Sequence, residues 1–124
     1  MTRKARPKTL SGFTYRIKTG CGTLYTTVNE DDGKVVEVFA RMGKAGGCAS
    51  SQIETMGRLI SLGVRAGAPV SDIIMQLQGI SCHSPITVDD ETTSSCADAM
   101  GKILRLHMAE REKSCVKGEV VKCG

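Results

Sequence analysis

Six cysteines in 124 residues are the first chemical feature of this chain. Cys21, Cys48, Cys82 and Cys96 fall in predicted loops or at predicted element ends, and His83 follows one of them. Four thiols with a neighbouring imidazole are a donor set for tetrahedral zinc. No Cys-x-x-Cys pair occurs, however, and zinc ligands usually arrive in such pairs. The primary expectation is therefore no metal, with these four as the candidate ligands if zinc is bound. Cys48 and Cys96 stand at predicted helix starts, where a thiol is more easily ionised. Cys115 and Cys123 lie near the C-terminus and are the candidates for redox chemistry.

The second feature is the run Gly43-Lys44-Ala45-Gly46-Gly47-Cys48. Glycines let backbone amides approach an anion, and a helix that follows adds partial positive charge. The candidate phosphate ligands here are Lys44, Gly46, Gly47, Ser50 and Ser51. The spacing is not that of a Walker A loop, because no Gly-Lys-Ser/Thr closes it. Arg16, Lys18, Arg41 and Arg58 are further candidates, since a guanidinium grips phosphate with two hydrogen bonds. His107 sits on the apolar face of a predicted helix and is expected to pack in the core.

These residues must be held by a small aliphatic core, because the chain has two Phe, two Tyr and no Trp. Phe13, Tyr15 and Ile17 alternate with polar residues, as in a half-buried strand. Thr19-Gly20-Cys21-Gly22 predicts a turn, Thr23 to Val28 a second strand, Asp31-Asp32-Gly33 a hairpin turn, and Val35 to Phe39 a third strand. Ile53, Met56, Ile60 and Val64 recur at helical spacing, with Leu59 beside them. Ser50 or Ser51 is the expected cap of that helix and Gly67 its end. Pro69 opens a second helix that carries Ile73, Ile74 and Leu77 and ends at Gly79. Residues 80–93 are expected to be a polar connection. A third helix starts at Ser94 or Ser95, with Asp98 expected to bond back to the amide of its cap.

The expected class is α+β: a three-stranded antiparallel meander followed by three helices packed on one face. Residues 1–10 are expected to be a basic flexible arm, residues 11–110 one domain, and residues 111–124 a charged tail. The net charge is +4, with Arg3, Lys4, Arg6 and Lys8 crowded at the start. The remainder is nearly balanced, so nucleic acid is not an expected partner. No apolar run approaches the ~20 residues of a membrane span, and a cytoplasmic location is expected. An open sheet face makes a homo-oligomer an expected way to cover it.

Five runs carry a resemblance. They are Tyr15-Arg16-Ile17-Lys18-Thr19-Gly20-Cys21-Gly22 with Leu24-Tyr25, Gly43 to Ser50, Gly57-Arg58-Leu59-Ile60-Ser61-Leu62, Gln76-Leu77-Gln78-Gly79-Ile80 before Cys82, and Ser95-Cys96-Ala97-Asp98-Ala99. In this order, across roughly residues 6–108, the chain resembles the TSCPD module at the C-terminus of adenosylcobalamin (vitamin B12)-dependent ribonucleotide reductases. The signature is altered: Ser94-Ser95-Cys96-Ala97-Asp98 stands where the module has Thr-Ser-Cys-Pro-Asp. The resemblance implies a nucleotide-handling context without catalysis, since these residues hold no barrel, radical-forming finger loop or cobalamin site. It also implies that Cys115 and Cys123 are a shortened form of a redox tail. The expected function is a non-catalytic module that binds a small nucleotide or serves a reductase large chain as an accessory. Two alternatives are a phage-encoded sponge that sequesters cyclic nucleotide signals and a thiol shuttle for a separate reductase subunit.

Overall fold

The computed structural model describes residues 5–43 and 47–116, without the side chains of residues 47–48 and 112–116. Strands β1 (Ser11–Thr19), β2 (Gly22–Asp31) and β3 (Lys34–Met42) form an antiparallel sheet in the order β1-β2-β3. Helices α1 (Gly47–Arg65), α2 (Val70–Leu77) and α3 (Cys96–Val116) follow. The chain is thus an α+β protein, as its residue pattern predicts.

Turn chemistry sets the register. Asp31 pairs with Lys34 across Asp32 and Gly33, whose φ angles are 52° and 80°. This is the turn whose twist matches paired strands. At the other end Thr19 pairs with Gly22, so Gly20 and Cys21 form the loop. The register then puts Leu24, Thr26 and Val28 on the buried face. Tyr25 and Thr27 take the opposite face, between Arg16 and Arg41 and between Thr14 and Phe39.

Helix α3 covers the buried face with Met100, Ile103, Leu104 and His107. Helix α1 lies along β3, whose second edge would otherwise be unpaired. The Ser61 hydroxyl accepts from Val38 N at 2.9 Å and donates to Val38 O at 3.1 Å. A Cβ on Gly57 would stand 3.1 Å from Val38 O, so glycine permits this approach.

Three local expectations are corrected. Residues 80–93 contain a second sheet, a hairpin of β4 (Ile86–Val88) and β5 (Glu91–Thr93). Asp89 and Asp90 turn it with φ of 51° and 64°, a conformation that Asp tolerates better than most residues. Helix α1 begins at Gly47, so Ser50 and Ser51 lie inside the helix rather than capping it. Leu59 is 61% exposed, because it faces away from β3. Helix α3 extends to Val116. Arg111 pairs there with Glu30 of β2, which ties this extension to the sheet.

Candidate functional site

Three cysteines far apart in sequence meet at one corner. The first is in the β1–β2 turn, where Cys21 N donates to Thr19 Oγ1 at 3.1 Å. Glycine is required beside it. A Cβ on Gly20 would stand 1.6 Å from Ser84 O, so no other residue lets the turn lie against this segment. The segment carries the second thiol. Cys82 N donates to Ser94 O at 2.9 Å, and Ser84 N donates to the Cys82 sulfur at 3.3 Å. The third is Cys96, the first residue of α3, whose sulfur lies 3.5 Å from Thr19 Oγ1. Partial burial pushes the Cys21 thiol up, and its hydrogen-bonding neighbour Cys96 and nearby Cys82 push it in the same direction.

The thiols line a cavity of about 720 Å³ together with His83, and Met56 and Ile80 give it apolar walls. Ala49 and Ser51 bring the first turn of α1 to the same cavity. Two helix N-termini, those of α1 and α3, therefore border it. Cys48 is the second residue of α1, and its side chain lies outside the described residues.

Asp98 organises the start of α3. Its amide donates to Ser95 Oγ at 3.0 Å, so Ser95 is the cap, as expected. Its carboxylate does not return to the Ser95 amide. One oxygen accepts from Ser94 N and the other from Gly79 N, both at 3.0 Å. Asp98 therefore ties the end of α2 to the start of α3. Burial pushes this carboxyl up, but the two amide bonds and Lys102 outweigh it and hold the group below its ordinary range.

The predicted phosphate ligands do not form one cluster. Ser51 lines the cysteine cavity, and Gly47 and Ser50 belong to the same helix start. Lys44 and Gly46 lie outside the described residues. Arg16, Lys18 and Arg41 are exposed on the outer sheet face, and Arg58 is on the solvent side of α1, 3.8 Å from Glu54. Cys115 falls in α3 with its side chain undescribed, and Cys123 lies outside the described residues.

Sequence reasoning missed a chain of polar groups on the buried face. His107, 1% exposed, bonds Tyr15 Oη through Nδ1 at 2.7 Å and Glu30 through Nε2. Burial pushes the Tyr15 phenol up, and Glu30 and Glu110 add to this. The core placement of His107 was legible from its helix face. Its partners lie 92 and 77 positions away, beyond any local pattern.

Among the described residues, no three Cys, His, Asp or Glu side chains stand close enough to share a metal ion. The corner can do two things chemically. Its three thiols are soft donors lining one cavity, the donor type that zinc takes. Alternatively, Cys21 and Cys96 could cycle between dithiol and disulfide.

Comparison with known proteins gives one match: the family model described as the TSCPD domain matches residues 1–108. No curated protein and no solved structure matches the chain. Among the described residues no helix is long and apolar enough to cross a membrane.

Proposed function

The chain belongs to the TSCPD domain family, and from that premise we propose that it is a non-catalytic accessory module whose working centre is a zinc-thiolate corner. Cys21, Cys82 and Cys96 are the proposed ligands among the described side chains, and the fourth sequence candidate, Cys48, has its side chain outside them. One observation carries this reading: three cysteines separated by 61 and 14 positions (21 to 82, 82 to 96) converge on one cavity. Zinc supplies no redox chemistry. Held by four thiolates it closes a structural site. Its binding would displace the thiol protons, which the two helix N-termini favour. The family context suggests a ribonucleotide reductase large chain as the partner.

The test is stoichiometry. Full-length protein purified with reductant should retain one zinc per chain, measured by release to a chromophoric chelator. Cys82→Ser and Cys96→Ser should each lower affinity at least tenfold, while Cys123→Ser should leave it unchanged. Protein that binds no zinc, or that loses it only when Cys115 and Cys123 are replaced, refutes the assignment.

A second reading is favoured by the placement of Cys21 and Cys96 on one cavity and on one hydroxyl, since the Cys21 amide and the Cys96 sulfur both contact Thr19 Oγ1. A thiol shuttle would use these two cysteines, forming a disulfide with loss of two electrons and two protons to a thiol-oxidising partner. Metal-free protein would then yield one Cys21–Cys96 disulfide under mild oxidation, identified by peptide mass mapping. Persistent alkylation of both thiols after oxidation excludes it.

A further inference from the structure

We infer that the outer face of the three-stranded sheet is a docking surface for single-stranded nucleic acid. Arg16, Tyr25 and Arg41 stand side by side on neighbouring strands. Strands about 4.8 Å apart make this row about 10 Å wide. Arg41 lies over the Tyr25 ring at 4.5 Å, so its guanidinium presents a flat cationic plane outward. Lys18 is two residues beyond Arg16 on the same face of β1, and Phe39, 54% exposed, is two residues from Arg41 on β3. Among the described residues Arg16 and Lys18 form no ion pair, and Arg41 has only its contact with Tyr25.

Charge selects the occupant. The acidic side chains on this face are Asp31, at the far end of β2, and Glu37, which Arg6 binds through two nitrogens and which accepts a hydrogen bond from Asn29 at 2.8 Å. Arg16, Lys18 and Arg41 gather at the other end of the sheet from Asp31, beside Thr23 and Tyr25. Beyond Phe39 it continues into a groove of about 430 Å³ bordered by Arg58 and Arg65. A second copy docked face to face would set Arg16, Lys18 and Arg41 against themselves, so a twofold dimer through this face is disfavoured. An anionic polymer is matched instead. A sheet with aromatic and guanidinium planes between cations stacks unpaired bases while holding phosphates. A duplex buries its bases and cannot use Tyr25, Phe39 or the Arg41 plane. This proposal is independent of the zinc assignment, because none of these residues lines the cysteine cavity.

Fluorescence anisotropy of the full-length protein with labelled 12-nucleotide oligo(dT) and oligo(U) tests it. Expected is micromolar affinity at low salt, and a log–log salt slope near −2 for about three phosphates neutralised on a single strand. A duplex of equal length should bind at least fivefold more weakly. Arg16→Glu with Arg41→Glu should weaken binding more than tenfold, while Arg105→Glu on α3 should change it less than twofold. All three positions are exposed, and unchanged thermal melting would show that the variants fold. The proposal is overturned by absence of binding at low salt, by equal losses in the Arg105 variant, or by stronger binding of the duplex. A dimer in sedimentation that dissociates on Arg16→Glu would also overturn it, by assigning the face to a second copy.

Discussion

Asp98 shows how one side chain can do the work of several contacts. Two backbone amides from separate segments, Gly79 and Ser94, end on its two oxygens, and its own amide is taken by Ser95. A hydrogen bond to an ionised group contributes about 1.5–3 kcal/mol, and an amide left buried without a partner costs about as much. Asp98→Ala should therefore lower unfolding free energy by about 3 kcal/mol in urea titrations, and Asp98→Asn by less. The sign of the pH effect follows from the depressed carboxyl. Its ordinary value is 3.8, and the folded value lies lower. The group therefore contributes fully above the ordinary Asp range, and this contribution is lost as pH falls through the folded value. Wild-type protein should lose stability steeply below about pH 4, and Asp98→Asn should flatten that limb. Glu37 leaves a residual slope, because its carboxyl is also held low: burial raises it, but Arg6 and Asn29 outweigh the burial. Parallel acid limbs in the two proteins would show that Asp98 is not ionised in its bonds.

At the scale of elements, the sequence was most informative where a local rule governs. Phe13-Tyr15-Ile17 and Asp31-Asp32-Gly33 predicted the meander, and Ile53, Met56 and Ile60 predicted α1. The β4–β5 hairpin was not seen, because strands of three residues are too short to display alternation. Its signal was Asp89-Asp90 between Thr-Val and Glu-Thr, a turn that Asp-Gly would have announced more plainly. The docking of α1 on the edge of β3 was also hidden, since nothing local marks Ser61 as the partner of Val38. That docking has measurable consequences. Ser61→Ala removes the partner of a buried N–H and C=O and should cost about 1–2 kcal/mol. Gly57→Leu forces a side chain against Val38 O and should cost about 2–3 kcal/mol by pushing the helix outward. Amide exchange at Val38 should accelerate in both variants. Slow exchange retained in both would mean that α1 does not protect this edge.

Across the whole molecule, the cysteines were recognisable as donors but not as neighbours. Local spacing finds Cys-x-x-Cys, whereas this corner is assembled by the β1–β2 turn, the segment after α2 and the start of α3. Gly20 against Ser84 and Asp98 between Gly79 and Ser94 are the contacts that bring these parts together, and of these Gly20–Ser84 and Gly79–Asp98 join segments distant in sequence. A cation held there would join the β1–β2 turn to the segment after α2 and to the start of α3. Binding only to the folded state stabilises by RT ln(1 + [L]/Kd), about 2.7 kcal/mol at a hundredfold excess over Kd. For a chain of this size that is a rise of roughly 10 °C in the melting temperature. Zinc added to chelator-treated protein should produce this rise, and Cys96→Ser should abolish it. Gly20→Ala should reduce it as well, although it removes no thiol, because the turn that carries Cys21 can no longer lie against Ser84. A rise in melting temperature that survives Cys96→Ser would place the cation elsewhere. A Gly20→Ala protein that responds like wild type would mean that the corner closes without the turn.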